Sequence, residues 1–230
     1  DAPLLPAYQK KAGHAINQRT DYIDAGTIRN WDDLYGAPMW SSNANNRLPG
    51  DYSIIDFNAD GIIDQYDKAP YGYSSVPQNT YNATLGFEWK GFSAFVQFYG
   101  VNNVTREVYF PTLENSNVVA YEEGAYWTPT VDGLPMPRWT TKADVSARGT
   151  RYTYDGSYVR LKNAEVSYRI PNRFTKKIGV SNCRVFLNGD NLLLWTKMPD
   201  DREANLGGFD SNNGAYPTVR RFNLGIDITL

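Results

Sequence analysis

From Thr80 to Trp89 apolar and polar side chains alternate without a break. Tyr81, Ala83, Leu85, Phe87 and Trp89 fall on one face of an extended chain, and Thr80, Asn82, Thr84, Gly86 and Glu88 on the other. Successive side chains of a strand point to opposite faces, so this pattern predicts a strand with one face against an apolar phase. Lys90-Gly91 then makes a tight turn, with glycine supplying a positive φ. The chain returns through Phe92 to Tyr99, with Phe92, Ala94, Val96 and Phe98 on one face and the mixed set Ser93, Phe95, Gln97 and Tyr99 on the other. Strands of this length cross a membrane obliquely.

Three more strands follow the same rule. Ala164, Val166, Tyr168 and Ile170 alternate with Asn163, Glu165, Ser167 and Arg169, until Pro171, which has no N–H for a ladder, ends the run. Cys183, Val185 and Leu187 alternate with Arg184, Phe186 and Asn188. Phe222, Leu224, Ile226, Ile228 and Leu230 alternate with Arg221, Asn223, Gly225, Asp227 and Thr229. A weaker pattern over 15–23 adds a candidate strand near the start.

The connections alternate as well. Lys90-Gly91 and Pro171 to Asn182 are short, whereas 26–78, 102–156 and 196–216 are long and irregular. Outer-membrane barrels have short periplasmic turns and long extracellular loops, and a soluble β-sandwich has no reason to gather its long loops at one end. Trp89 and Phe92 beside the short turn, and Trp195 where an up-going strand leaves, suit interfacial aromatic girdles. The predicted fold is all-β: an antiparallel transmembrane β-barrel, of which 1–230 supplies about five or six strands as part of one domain. A closed barrel has no free edges, so this strand count predicts that a plug and further strands precede the chain elsewhere.

Composition sharpens this only where pattern is silent. Aromatics reach 14%, with 17 Tyr, 19 Gly and 13 Pro, which favours strands and loops over helices. No apolar run approaches the roughly 18 residues of a transmembrane helix. Mean hydropathy is −0.53, the polar value expected when each strand shows one face to lipid and the loops are hydrophilic. A net charge of −2 gives no electrostatic ground for nucleic acid as a partner. The single cysteine, Cys183, excludes an internal disulfide framework. No signal-peptide pattern opens the chain.

One stretch carries metal-ligand spacing. Asp56, Asn58 and Asp60 occupy positions 1, 3 and 5 of a twelve-position calcium loop, Gly61 the sharp bend, Ile62 the backbone carbonyl, and Asp64 and Asp67 positions 9 and 12. Asp67 stands where Glu is usual, and its shorter arm can still offer two oxygens. An oxygen-only set suits structural Ca²⁺, with Mg²⁺ the alternative, better than zinc or copper. The competing reading is an acidic turn closed by Asx-type hydrogen bonds.

Catalytic constellations are absent. His14 is the only histidine and has no nucleophile motif beside it. Glu122-Glu123 and Asp200-Asp201 are loop acids that serve glycoside hydrolysis only if a second carboxylate converges on them. Gly207-Gly208 lacks the strand, spacing and helix of a phosphate-binding fingerprint. Trp31, Trp40, Tyr126, Trp127 and Trp139 stand in the long loops, where aromatics suit cargo or partner contacts and equally suit loop packing.

Asp51 to Asp67 (DYSIIDFNADGIIDQYD), with the following PYGYSSVPQNTYNATLGFEWKGFSAFVQFYG, resembles the C-terminal barrel region of SusC/RagA-type TonB-dependent transporters. So do YWTP at 126–129 with MPRW at 136–139, DGSYVRLKNAEVSYRIP at 155–171, FLNGDNLLLWTK at 186–197 and the closing YPTVRRFNLGIDITL. The resemblance implies a plugged barrel in the outer membrane of a Bacteroidetes-type bacterium, energised by TonB. It also implies a SusD-like surface lipoprotein over the mouth, and oligosaccharide or peptide as cargo. Leu230 departs from the aromatic that often ends the terminal strand. The rival expectation is a secreted calcium-dependent glycan-binding β-sandwich.

Overall fold

The computed structural model describes residues 4–41, 46–107, 126–131, 136–138, 145–198 and 218–230. They fall into two compact units: one from described residues of 76–105, 155–205 and 215–230, the other from described residues of 1–75 and 106–154.

The first unit is a five-stranded antiparallel meander: β1 (Asn79–Trp89), β2 (Phe92–Asn102), β3 (Tyr158–Arg169), β4 (Asn182–Thr196) and β5 (Arg221–Thr229), hydrogen-bonded in that order. The hairpin turn falls on Lys90 and Gly91, both at positive φ (47° and 90°), the pair that matches strand twist. The connection after Pro171 folds as a helical turn, Asn172–Thr175, continued by Lys176–Ile178 and ended by Gly179 at φ 75°. Both short connections lie at one end of the meander.

Three strands are longer than alternation predicts: β2 runs on from Tyr99 to Asn102, and β3 and β4 extend further still. β3 begins at Tyr158, and its register slips between Leu161 and Asn163 against both neighbours. A bulge of this kind adds one residue, Lys162, and inverts the phase of the pattern. In β4 the matching irregularity falls at Asn191, whose φ is 54°, beyond which Leu193 and Trp195 resume the apolar face.

The second unit corrects two expectations. The candidate strand over 15–23 shrinks to Thr20–Tyr22, which pairs with Lys68–Pro70 and stands outside the five-stranded sheet. Asn17 at φ 59° and a turn from Ala15 to Gln18 break the earlier part. The 26–78 connection is folded. Asp24–Thr27 pairs with Tyr52–Ile54, Met39–Trp40 pairs in parallel with Ile62–Ile63, and Trp31–Gly36 is a helix. Asn30 caps that helix by accepting the Asp33 N–H at 2.8 Å, and Asp32 and Asp33 meet the positive end of its dipole.

What holds these short pieces together is one aromatic cluster. Trp40, Tyr52, Ile54, Ile63 and Tyr152 are buried, with Tyr22, Tyr126 and Tyr154 packed on them. The Tyr52 and Tyr152 hydroxyls hydrogen-bond to each other. Arg151 lies over the Tyr52 ring at 4.5 Å and pairs with Asp24 at 3.3 Å. Arg138 pairs with Asp51 at 2.8 Å, and Arg19 with Glu107 at 2.9 Å. The 102–156 connection therefore contributes to the same core as 26–78.

Candidate functional site

The register of the meander sorts its side chains onto two chemically opposite faces. Leu85, Phe87 and Trp89 of β1 share one face with Val166 and Tyr168 of β3, Leu187 and Trp195 of β4, and Phe222, Leu224, Ile226 and Ile228 of β5. All of them are exposed; Leu224 is 78% exposed and Leu85 65%. A sandwich would bury such a face against a second sheet, and no described residues cover this one, so the expectation of a β-sandwich fails. A continuous exposed apolar face of this breadth is the signature of a surface that meets lipid. Phe92 and Tyr168 pack at 5.0 Å near the tight turn, and Lys90 Nζ sits 4.8 Å over the Trp89 ring. Aromatic rings and a cation occupy the rim as they do at a membrane interface.

The opposite face carries a ladder of amides and charges that the sequence did not reveal. Gln97 donates to Asn82 at 3.2 Å, and Asn163 stands 2.8 Å from Gln97 Oε1. With its amide turned, Asn163 would instead donate to Asp190 at 2.7 Å, so the same side chain stands between Gln97 and Asp190 on this face. Towards the tight-turn end, Arg184 pairs with Glu165 and, at 3.0 Å, with Asp227. Asn223 donates to Asn188 at 2.8 Å. Arg160, also on this face, is 1% exposed. These partners lie on different strands, so only cross-strand register brings them together. A sheet apolar outside and polar inside is the wall of a water-filled or plugged barrel.

The 56–67 loop closes on its own amides. Asp56 accepts the N–H groups of Gly61 at 2.7 Å and Asp60 at 3.2 Å. Asn58 accepts from Asp60 at 3.0 Å, Asp60 from Ile62 at 2.8 Å, and Asp64 from Tyr66 at 2.7 Å. Gly61 takes the bend at φ 85°. Asp67, 0% exposed, accepts Phe57 N–H at 2.8 Å and Asp64 N–H at 2.7 Å. The oxygen donor set matches calcium chemistry. Among the described residues, however, no three His, Cys, Asp or Glu side chains stand together as a metal-holding group. Amide capping is what shapes this loop.

The loop aromatics divide. Trp31 is 56% exposed, whereas Trp40 is 6% exposed in the aromatic cluster, where it packs and presents no face to a partner. Tyr126 and Trp127 are half-buried, and Trp127 lies so close to Gly50 that a Cβ there would stand 2.4 Å from its ring. Trp139 lies outside the described residues.

No family model matches the chain. TonB-dependent receptor P3 of Formosa agariphila is 29% identical over 233 residues, covering 95% of this chain and 22% of that protein. TonB-dependent receptor P26 of the same bacterium is 32% identical over 202 residues, covering 80% of this chain and 20% of that protein. The chain thus spans about a fifth of the length of the curated relatives it matches. Among solved structures, the RagAB peptide transporter covers 92% of this chain and 22% of its own, with a TM-score of 0.62 and 19% identity. The RagAB peptide importer in the open-open state covers 93% and 22%, with a TM-score of 0.58 and 18% identity. The solved structures speak for the fold and the curated relatives for descent. Together with the two-faced sheet they identify the chain as a β-barrel segment of the TonB-dependent receptor family, proteins of the bacterial outer membrane.

Proposed function

We propose that the protein of which this segment is part imports an oligosaccharide or peptide across the outer membrane, driven by TonB and capped by a SusD-like surface lipoprotein. The observation that carries this reading is the two-faced meander: an exposed apolar face on one side and a continuous amide-and-charge ladder on the other. Such a sheet is built to line a passage. In this reading the Lys90-Gly91 turn faces the periplasm and the folded 26–78 and 102–156 connections face the outside. Trp31 is then available to cargo or lipoprotein. The 56–67 loop takes one structural Ca²⁺ there, supported by its six oxygen-bearing positions and by carboxylates that repel each other without a cation.

Deletion of the gene tests the import reading. Growth or labelled-cargo uptake on one oligosaccharide or peptide source should disappear and return with the intact gene, and the lipoprotein encoded beside it should co-purify with the transporter. Unchanged uptake on every source tried, or turnover of cargo by the purified protein, overturns it.

A further inference from the structure

The short connection between β3 and β4 carries charge of one sign. From Val166 to Gly189 the sequence holds Arg169, Arg173, Lys176, Lys177 and Arg184 and no Asp or Glu, in a chain where acids outnumber Lys and Arg by 25 to 23. Three of these cations, Arg173, Lys176 and Lys177, stand exposed on the helical run formed by Asn172–Thr175 and Lys176–Ile178. Phe174 and Ile178 lie one turn apart on the same run and are 52% and 76% exposed. Thr175 is the residue that the run buries, and its carbonyl accepts the Val180 N–H at 3.1 Å.

The base of this connection is fixed to the sheet. Ile170 N–H donates to Cys183 O at 2.9 Å, Ser181 N–H to Thr229 O at 2.8 Å, and Ser181 Oγ to the same carbonyl at 2.9 Å. Thr229 is flanked by Ile228 and Leu230, 60% and 90% exposed, at the end of the apolar face of β5. The helical run therefore leaves from, and returns to, the edge of the wall that meets lipid. Cations in the last turn of a helix answer its dipole, which accounts for Lys176 and Lys177 and leaves Arg173, Phe174 and Ile178. Cations beside exposed apolar side chains, at the border of a lipid-facing wall, are the composition of a segment that lies in the headgroup layer.

We propose that the 171–182 connection is a binding surface for anionic phospholipid, anchoring the barrel in the leaflet at its short-turn end. Phe174 and Ile178 enter the border of the acyl layer, and Arg173, Lys176 and Lys177 pair with headgroup phosphates. The Arg173 guanidinium lies 4.6 Å over the Phe174 ring, so cation and ring enter the interface as one unit. A Lys or Arg beside an anionic surface strengthens binding about fivefold, and three on one short run give a clear preference for charged lipid. The inference goes beyond the import reading: it rests on the lipid-facing wall and on no particular cargo.

The test uses the full-length transporter with Ile178→Cys, in a Cys183→Ser background, carrying an apolar bimane label. It is placed in phosphatidylcholine nanodiscs that contain a small fraction of nitroxide-labelled phosphatidylglycerol or, separately, nitroxide-labelled phosphatidylcholine. The lipid nitroxide should quench the label, and iodide in the water should quench it poorly. Phosphatidylglycerol should quench about twofold or more above phosphatidylcholine at equal fraction, and raised salt should narrow the difference. Arg173→Gln with Lys176→Gln and Lys177→Gln should abolish the preference and leave quenching by phosphatidylcholine in place, which also shows that the variant is folded in the bilayer. A label open to iodide and untouched by lipid overturns the proposal, because the connection then stands in water. A label shielded from both overturns it as well, because a protein surface then covers the connection. Equal quenching by the two lipids, or a phosphatidylglycerol preference that the triple variant keeps, overturns the pairing of these cations with phosphate and the proposal with it.

Discussion

Phe186 covers Gly225, its partner across β4 and β5: a Cβ built on Gly225 would stand 2.3 Å from Phe186 Cζ. Glycine inside a strand normally weakens it, by about 0.5–1 kcal/mol relative to alanine, so Gly225→Ala would ordinarily be neutral or helpful. Here the ring must move, and with it the Arg184 guanidinium that lies 5.1 Å over it. Gly225→Ala should therefore destabilise the barrel by about 1–3 kcal/mol, the range for overpacking. The temperature at which the full-length protein loses its folded gel mobility should fall, and Phe186→Leu in the same chain should restore it. A raised or unchanged temperature for Gly225→Ala alone would count against the contact.

Arg184 stands between two acids of unequal exposure. Its own side chain is 31% exposed, that of Glu165 15% and that of Asp227 55%. Removing the cation leaves Glu165 as a poorly hydrated, uncompensated acceptor, whereas losing an exposed partner changes little. The expected order of damage is Arg184→Ala above Glu165→Gln, and Glu165→Gln above Asp227→Asn. The first should lie at about 1–3 kcal/mol and the last below about 1 kcal/mol. The same unfolding assay reads the order, and equal effects of Glu165→Gln and Asp227→Asn would refute it.

Alternation alone made the hairpin of β1 and β2 legible, because Thr80 to Phe98 keeps strict phase and Lys90-Gly91 announces its turn. The start of β3 was hidden by Lys162, a single residue that inverts the phase without changing composition, and the far half of β4 by the run Leu192-Leu193-Leu194, which is apolar in both phases. The second unit was hidden for a different reason. Trp40, Ile63 and Tyr152 meet through strands of two or three residues and through contacts distant in sequence, and a tryptophan in a loop reads the same whether it is buried or exposed. Likewise, Glu165, Arg184 and Asp227 are near each other only through register. At Asp67 the spacing predicts a metal ligand, and the carboxylate accepts the backbone N–H groups of Phe57 and Asp64, a pairing that spacing alone does not show.

Burial pushes the Asp24 carboxyl above its ordinary 3.8, against the downward pull of Arg151 and of the Gly26 N–H. The folded state thus holds this proton more tightly than the unfolded chain does. The resulting stabilisation is complete below pH 3.8 and is lost as pH rises through the higher folded value, so at neutral pH the ionised group opposes folding. Asp24→Asn should then strengthen this unit at neutral pH and flatten its pH dependence above 3.8. Amide exchange of Tyr52–Ile54, which pairs with Asp24–Thr27, reads this directly once corrected for intrinsic rates. Faster exchange in the variant than in wild type at neutral pH would reverse the assigned sign.

Asp67 is the residue on which the 56–67 loop and the Tyr8-Gln9 segment bonded to its end both depend. It is fully buried and takes main-chain N–H groups from both ends of the loop, Phe57 and Asp64, through its two oxygens. Asp67→Asn places an amide NH₂ against one of these donors, and an unsatisfied buried donor costs about 1–3 kcal/mol. Exchange at Phe57 and Asp64 should accelerate about tenfold or more. Because Tyr8 and Gln9 are held by the carbonyls of Tyr66, Gln65 and Lys68, protection should also fall at Lys10, whose N–H closes the turn on Ala7. The barrel strands should be unaffected. Calcium separates capping from metal binding: added Ca²⁺ should slow exchange in the wild-type loop and leave Asp56→Ala unchanged. If Ca²⁺ slows neither while Asp67→Asn still accelerates exchange, the loop stands on its amide caps and the cation is withdrawn.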